Sequence, residues 1–156
     1  IFRDWYGFNC CSGILFNHES PLRSDEFVTK KIVNHCKLIK KGKLKHLYLG
    51  NINIYRDWGW APEYVEAMYL MLRQRYPKDL VIGSGKIHGL KNFVYEVFRL
   101  LKIPRNCLKV NTKRLIRKQD IRSYRADPRL AKKILKWRAK TTFKQIIYKM
   151  VNEQLY

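Results

Sequence analysis

Residues 13–21 read Gly-Ile-Leu-Phe-Asn-His-Glu-Ser-Pro, and this stretch decides how the rest of the chain is interpreted. The mostly apolar run from Phe8 to Phe16, which contains Gly13, predicts a short buried strand. The polar residues that follow, Asn17–Pro21, predict a loop at the carboxyl end of that strand. Ligands bind at that end of the strands in open α/β sheets. We therefore expect a ligand site around Asn17.

Helices and strands are predicted to alternate along the rest of the chain. Apolar residues at helical spacing predict a helix from Phe27 to Lys41, which Gly42 closes. Short apolar runs predict two further strands, at Leu47–Leu49 and Leu80–Ile82. Apolar stripes predict two further helices over Tyr64–Leu72 and Phe93–Leu101. Asp127-Pro128 predicts the cap and first residue of a helix that runs to about Leu135. A last amphipathic helix begins at Thr141 or Thr142 and runs to Val151, and Thr142-x-x-Gln145 fits a capping box. This order predicts an α/β fold with a thin sheet of few short strands.

The composition is that of a folded, strongly basic chain. It has 156 residues, 33 of them Lys or Arg and 12 Asp or Glu, and its formal charge is +21. Hydrophobic residues make up 46% of the sequence, which is enough for a core. Residues 99–156 are the most basic part of the chain and indicate a polyanionic partner, a bound nucleotide diphosphate or simply a lysine-rich surface. No apolar run approaches the ~18 residues that a membrane span needs, so we expect no membrane partner.

The cysteines carry no recognisable metal or disulfide pattern. Cys10 and Cys11 are adjacent, Cys36 and Cys107 are isolated, and no C-x-x-C occurs. Neighbouring residues of a strand point to opposite faces, so Cys10 and Cys11 would not share a ligand. The sequence therefore predicts four free thiols in a reducing cytoplasm and no bound metal.

Further segments follow residues 13–21 in a distinctive order. They are Phe27-Val28-Thr29-Lys30-Lys31-Ile32, Leu47-Tyr48-Leu49-Gly50-Asn51, Arg56-Asp57-Trp58-Gly59, Tyr64-Val65-Glu66-Ala67-Met68-Tyr69-Leu70-Met71-Leu72, and Val81-Ile82 with Gly85 and His88. This series resembles the GDP-mannose 4,6-dehydratases, which are extended short-chain dehydrogenase/reductases. The resemblance is close over residues 1–100 and looser over Asp127–Trp137 and Phe143–Val151.

The resemblance implies that only the C-terminal part of such an enzyme is present. The family's glycine-rich phosphate turn does not occur, and its catalytic Thr, Glu and Tyr-x-x-x-Lys would lie upstream of Ile1. We therefore expect one incomplete domain over residues 1–156, without the N-terminal dinucleotide-binding half of the Rossmann-type fold. Residues 1–100 would complete that half and line the substrate site, and residues 101–156 would form a basic segment of the substrate domain. A separate N-terminal half or a homo-oligomer partner would then complete the enzyme.

The resemblance also implies which residues meet the cofactor NADP. His18 matches a histidine near the nicotinamide end, and Arg23 matches a cofactor arginine. The family usually has two arginines there, whereas this chain has Leu22 followed by Arg23.

The same resemblance implies a set of residues that bind GDP-mannose. Asn17, Val28 and Lys31 match positions that line the nucleotide-sugar site, and Gly50 and Arg56 match the segment that passes the nucleotide. An amide suits sugar hydroxyls, and Lys and Arg suit phosphate. Arg56 and Asp57 form a structural ion pair in the alternative interpretation.

Two more substrate residues are implied in the basic segment. Arg117 and Asp120 align with the family's Arg-Pro-x-Glu near the diphosphate and ribose. Here Lys118 replaces the proline and Asp120 is one methylene shorter than the family's glutamate.

The resemblance implies NADP-dependent conversion of GDP-mannose to GDP-4-keto-6-deoxymannose, in a cytoplasmic protein that is inactive without its N-terminal half. Two alternatives remain open. One is a basic nucleic-acid-binding module that uses a face formed by Arg122, Tyr124, Arg125, Arg129, Lys133 and Trp137. The other is a degenerate truncated remnant, which would melt broadly and without cooperativity because its first strand has an uncovered edge.

Overall fold

The computed structural model describes residues 2–110 and 121–155. The helices are α1 (Phe2–Tyr6), α2 (Val28–Lys40), α3 (Ala61–Leu72), α4 (Leu90–Leu101), α5 (Arg129–Leu135) and α6 (Phe143–Val151). The strands are β1 (Gly13–Leu15), β2 (Asn17–Glu19), β3 (Leu47–Tyr48), β4 (Tyr55–Trp60), β5 (Leu80–Ile82), β6 (Ile87–Gly89), β7 (Leu108–Lys109) and β8 (Ser123–Tyr124). The predicted α/β class and the predicted helices are confirmed.

Strand β4 is the centre of the largest sheet in the described ranges. It pairs in parallel with β2 and β8 and antiparallel with β6. Two further parallel pairs are separate from this sheet, β1 with β5 and β3 with β7. The Phe16 backbone N–H donates to the Ile82 carbonyl over 2.9 Å and so extends the β1–β5 pairing to the start of β2. The chain therefore passes directly from the end of β1 into β2, which belongs to the larger sheet.

The strand predictions are only partly right. The sequence predicts a loop at Asn17–Glu19, which instead forms β2, and it predicts neither β4 nor β6. These short strands carry polar residues, and their conformation depends on pairing with other strands of the sheet. The sequence pattern of one short segment does not predict such pairing. The run from Phe8 is predicted to be buried throughout, yet only Gly13–Leu15 is a strand there and Ile14 is 54% exposed.

A helical cluster forms the larger hydrophobic core. Helices α2, α4 and α6 pack on one another, and α4 and α6 also pack against the sheet around β4. Their contacts bury Cys36 of α2 and Phe93 of α4 completely. Burial raises the pKa of the Cys36 thiol to about 12, and the charge on Cys107 adds to the shift. All four cysteines are free thiols.

A second, smaller core lies under α3 and α5. It is formed by Tyr64, Ala67, Met71, Leu80, Ile82, Ala131, Leu135 and Trp137. Gly59 belongs to this packing because a Cβ atom there would overlap the Tyr64 ring. In the described parts of the chain, no helix is long and apolar enough to cross a membrane.

Two carboxylates fix the loops that connect these layers. The wholly buried Asp57 of β4 accepts hydrogen bonds from the Ser84 and Gly85 backbone N–H groups at 3.0 and 2.8 Å, and from the Ser84 hydroxyl at 2.6 Å. It also accepts from the Ala126 N–H at 3.3 Å. Glu63 of α3 accepts from the Lys140 N–H at 3.0 Å and from the N–H and hydroxyl of Thr141, both at 2.9 Å. Both loops are therefore held at fixed positions over the sheet.

The predicted capping box at the start of α6 is confirmed. The Thr142 hydroxyl accepts from the Gln145 N–H, and the Gln145 side chain accepts from the Thr142 N–H at 2.8 Å. Substitution Thr142→Ala leaves a helix N–H without a partner, so we expect the free energy of unfolding to fall by about 1 kcal/mol. Urea denaturation of Thr142→Ala and Thr142→Ser measures this loss. A loss as large for Ser as for Ala would contradict the capping explanation, because Ser keeps the hydroxyl.

Candidate functional site

A cavity of about 720 Å³ opens beside β4, and we call it the β4 cavity. Strands β2 and β4 supply one wall, α2 supplies the other, and the turn after β3 closes one end. Its lining residues are Asn17, Glu19, Arg23, Glu26, Phe27, Val28, Thr29, Lys31, Leu49, Gly50, Asn51, Ile54, Arg56, Trp58, Leu90, Ile121 and Tyr124. This volume lies within the usual range for small-molecule sites.

Most of the residues predicted from the sequence converge on the β4 cavity. Asn17, Arg23, Val28, Lys31, Gly50 and Arg56 all line it. His18 is not among the lining residues, because successive strand residues point to opposite faces. Its ring instead lies 5.1 Å from the Tyr64 ring. Arg117 and Asp120 lie outside the described residues.

Three side chains at the β4–β8 pairing form one polar group. The Tyr124 hydroxyl donates to Asn17 Oδ1 at 3.1 Å, which orients the Asn17 amide. The guanidinium of Arg56 lies 4.9 Å from the centre of the Tyr124 ring, and its Nη1 donates to the Tyr55 carbonyl at 2.8 Å. The neighbouring Asp57 is held by its hydrogen bonds from Ser84, Gly85 and Ala126. The alternative Arg56–Asp57 pairing is therefore not what holds this aspartate.

Sequence reasoning missed the part that Tyr124 plays in this group. The sequence assigns Tyr124 to a nucleic-acid face, and only the pairing of β8 with β4 brings it to Asn17. That pairing joins residues that are far apart in the chain, so no local signal would have found it. Trp137 is assigned to the same face but is only 4% exposed, so the prediction that it stacks on bases is wrong.

Arg23 is held mainly by groups of its own loop. Its Nη1 donates to the His18 carbonyl at 2.9 Å, and its guanidinium lies 3.6 Å from the centre of the Phe27 ring. Its Nε is 3.6 Å from Glu19 Oε2, which is too long for a hydrogen bond, and this buried nitrogen has no hydrogen-bond partner among the described residues. Such an unpaired donor suits an anionic ligand group.

Glu19 is a buried carboxylate at the floor of the β4 cavity, and sequence reasoning did not single it out. It is 1% exposed, and Thr29 donates to its Oε2 at 2.7 Å. Burial raises its pKa to about 7, while the Thr29 hydrogen bond and the charge on Arg23 oppose the shift. The Glu19 side chain therefore titrates near neutral pH.

The cavity combines cations with neutral polar groups. Lys31 and Arg56 offer a point charge and a planar fork of N–H donors, both of which bind phosphate oxygens. The Asn17 amide and the backbone at Gly50 are suited to hydroxyl and base edges. Leu49, Ile54 and Leu90 supply apolar surface beside them. The arrangement is suited to a phosphorylated ligand that also carries hydroxyl groups.

Known proteins that resemble this chain point to one family. The family model described as GDP-mannose 4,6 dehydratase matches residues 1–150. GDP-mannose 4,6 dehydratase 1 of Arabidopsis thaliana is 40% identical over 99% of this chain and 43% of its own length. The GDP-mannose 4,6 dehydratase of Dictyostelium discoideum is also 40% identical, over 99% of this chain and 48% of its own length. The chain thus spans a little under half the length of these relatives.

Solved structures give the same fold at low sequence identity. RMD from Pseudomonas aeruginosa, solved with NADPH, superimposes with a TM-score of 0.89 at 17% identity, over 99% of this chain and 51% of that protein. The dTDP-glucose 4,6-dehydratase of Bacillus anthracis, solved with NAD, gives 0.82 at 19% identity over 97% of this chain and 46% of that protein. The chain therefore belongs to the GDP-mannose 4,6-dehydratase family and has the fold of the C-terminal half of an extended short-chain dehydrogenase/reductase.

Proposed function

We propose that this chain is the nucleotide-sugar-binding part of a GDP-mannose 4,6-dehydratase, which converts GDP-mannose to GDP-4-keto-6-deoxymannose with NADP. The observation that carries the proposal is the convergence of Asn17, Lys31 and Arg56 on one cavity. These residues come from three different elements, β2, α2 and β4. Relatives at 40% identity are named for this activity.

Each of these side chains has a binding task in the proposed complex. Lys31 and Arg56 neutralise the diphosphate, and the Asn17 amide, oriented by Tyr124, hydrogen bonds to a hydroxyl or phosphate oxygen of the substrate. Val28 and Gly50 give the nucleotide an apolar contact and a close backbone approach. We place Arg117 and Asp120 at the diphosphate and ribose by family resemblance alone.

We propose that Arg23 and His18 meet the nicotinamide cofactor, Arg23 from the β4 cavity and His18 from the opposite face of β2. The unpaired buried Nε of Arg23 fits an anionic group of the cofactor. The His18 ring lies outside the β4 cavity, beside the Tyr64 ring, so its contact with the cofactor is proposed from the family resemblance alone. The cofactor, when bound, supplies the hydride chemistry, and this chain's residues bind and orient. NADP rather than NAD is our proposal from the family.

A dinucleotide-binding half would complete the enzyme, on the same polypeptide or on another. The relatives extend to about twice the length matched here. Several aromatic residues near β1 are exposed, among them Trp5 at 80% and Phe8 at 58%. We propose that this aromatic surface contacts that half, together with the edge of β1 that no described strand covers, since large exposed apolar patches mark interfaces.

Binding of GDP-mannose tests the proposal directly. We expect GDP-mannose to raise the melting temperature of the chain, and calorimetry to give 1:1 binding. Removal of a charge-assisted contact costs about 1.5–3 kcal/mol, so Lys31→Ala and Arg56→Ala should each weaken binding about tenfold or more. Lys40→Ala removes an exposed charge from the same helix outside the cavity and serves as the matched control.

Two results would contradict the proposal. One is the absence of any shift at millimolar GDP-mannose in a chain that melts cooperatively. The other is an equal loss of affinity in Lys40→Ala and Lys31→Ala, which would indicate general charge attraction. A broad melt without cooperativity would instead favour the degenerate remnant.

A further inference from the structure

Two adjoining cavities lie beside the β4 cavity. The larger, of about 590 Å³, is lined by Trp58, Ser84, Lys86, His88, Asn92, Glu96, Ala139, Lys140, Thr141, Thr142, Phe143 and Lys144, and we call it the Phe143 cavity. The smaller, of about 420 Å³, is lined by Gly83, Ser84, Lys86, Pro128, Arg129, Lys132, Trp137, Arg138, Ala139 and Lys140, and we call it the Trp137 cavity. They share Ser84, Lys86, Ala139 and Lys140, whereas Trp58 alone of the described lining residues also borders the β4 cavity.

Two aromatic rings that stack on each other line the Phe143 cavity. The Phe143 and His88 rings are nearly parallel, 5° apart, with their centres separated by 4.1 Å. The Trp58 ring lies 5.8 Å from Phe143 at an angle of 24°. Burial lowers the pKa of His88, and the charge on Asp57 opposes this shift only in part, so the ring is neutral at pH 7. The facing sides of the two rings are already in contact, so a planar heterocycle would stack on the outer face of this pair.

The charge around both cavities is strongly positive. Six basic side chains of the described ranges line them, Lys86, Arg129, Lys132, Arg138, Lys140 and Lys144, against the single acid Glu96. Glu96 is already engaged, because Arg99 donates to it at 2.7 and 3.0 Å. Among the described residues, neither Lys86 nor Lys140 has an ion pair. Arg129 already forms an ion pair with Asp127 at 2.6 Å, so the positive charge available to an anion comes from the other basic residues of the two cavities.

The two loops that carry Lys86 and Lys140 are fixed in place before any ligand arrives. The turn at Ser84–Lys86 is anchored to the buried Asp57, and the loop at Lys140–Thr141 is anchored to Glu63. Anchored loops lose little conformational freedom on binding, which raises affinity. These lysines differ in this respect from lysines on mobile surface segments.

We propose that the Phe143 and Trp137 cavities together bind a nucleoside triphosphate, at a site separate from the β4 cavity. The base lies on the outer face of the stacked Phe143–His88 pair. The phosphates lie between Lys86 and Lys140 and extend toward Lys132 and Arg138. The volume of the Phe143 cavity is within the range that holds a mononucleotide-sized ligand.

The test uses the full chain in which Lys31→Ala and Arg56→Ala have disabled the β4 cavity, so its outcome does not depend on the proposed substrate. Calorimetry with ATP at physiological salt should show saturable 1:1 binding to this double variant. Addition of Lys86→Ala and Lys140→Ala should weaken ATP binding at least tenfold. The matched control adds Lys43→Ala and Lys45→Ala, which remove the same charge from an exposed loop elsewhere and should leave the affinity within about twofold.

Three results would overturn the proposal. The first is an equal loss of ATP affinity in the Lys86/Lys140 variant and its Lys43/Lys45 control, which would indicate attraction by net charge alone. The second is binding of inorganic tripolyphosphate as tightly as ATP, because the stacked Phe143–His88 pair would then contribute nothing. The third is binding of a single-stranded oligonucleotide at several sites in a way that salt reverses, together with no saturable binding of ATP. That result would assign the surface to nucleic acid.

Discussion

Substitution Asp57→Ala should reduce the free energy of unfolding by about 3–5 kcal/mol, the largest effect we expect from a single change. Asp57 is wholly buried and accepts from Ser84, Gly85 and Ala126. Its removal leaves the buried Ala126 N–H and the half-buried donors of Ser84 and Gly85 without their acceptor, and an unpaired buried donor costs about 1–3 kcal/mol. The turn after β5 and the segment before α5 would lose their common anchor. Urea denaturation followed by circular dichroism measures the loss.

Two further variants separate this explanation from a general effect of charge removal. Asp57→Asn keeps one carbonyl acceptor but turns an NH2 group toward backbone donors, so we expect an intermediate loss. Glu66→Ala removes an exposed carboxylate and should change stability by less than about 0.5 kcal/mol. An effect of Asp57→Ala no larger than that of Glu66→Ala would show that the hydrogen bonds to Asp57 contribute nothing.

The stability of the chain should fall between pH 5 and pH 8, and Glu19→Gln should remove most of that fall. The pKa of Glu19 is raised from 4.5 to about 7 in the folded chain, so the folded state binds this proton more tightly than the unfolded state. The stabilising contribution is complete below pH 4.5 and is lost as the pH rises through 7. A shift of this size corresponds to about 3 kcal/mol.

The measurement compares the free energy of unfolding of the wild-type chain and Glu19→Gln at pH 5 and pH 8. The glutamine amide of the variant would keep an oxygen to accept from Thr29, so the two proteins should be similar at pH 5. At pH 8 the variant should be the more stable by about 2–3 kcal/mol. Parallel pH profiles for the two proteins would contradict the assignment to Glu19. Glu26→Gln changes an exposed carboxylate of the same cavity and controls for general charge effects.

Long amphipathic helices were predictable from the sequence, and polar strands were not. The helix predicted from Phe27 to Lys41 is observed as Val28–Lys40, and the capping box of α6 is in place. Strand β4 has no local signature because its sequence Tyr-Arg-Asp-Trp-Gly-Trp mixes charged and aromatic residues. Its conformation follows from partners that are distant in the chain, β2, β6 and β8.

Family resemblance predicted some residues of the candidate site one by one. It did not predict the residues whose place in the site depends on contacts between distant parts of the chain. Resemblance placed Asn17, Lys31 and Arg56 together, and all three line the β4 cavity. Their roles in binding stay predictions. Glu19 and Tyr124 were missed because their parts in the site depend on burial and on the pairing of β8 with β4, which only the three-dimensional arrangement shows.

The buried thiol of Cys36 provides an internal probe of motion in the helical cluster. In the native packing this sulfur is inaccessible to solvent, and its thiol stays protonated. Reagents that modify thiolates therefore reach it only when α2 separates from α4. Cys10 is exposed and Cys11 and Cys107 are half-buried, so these three thiols should react before Cys36 and account for the early part of the labelling reaction. The slow phase of labelling would then report how often the helices open, without any added probe.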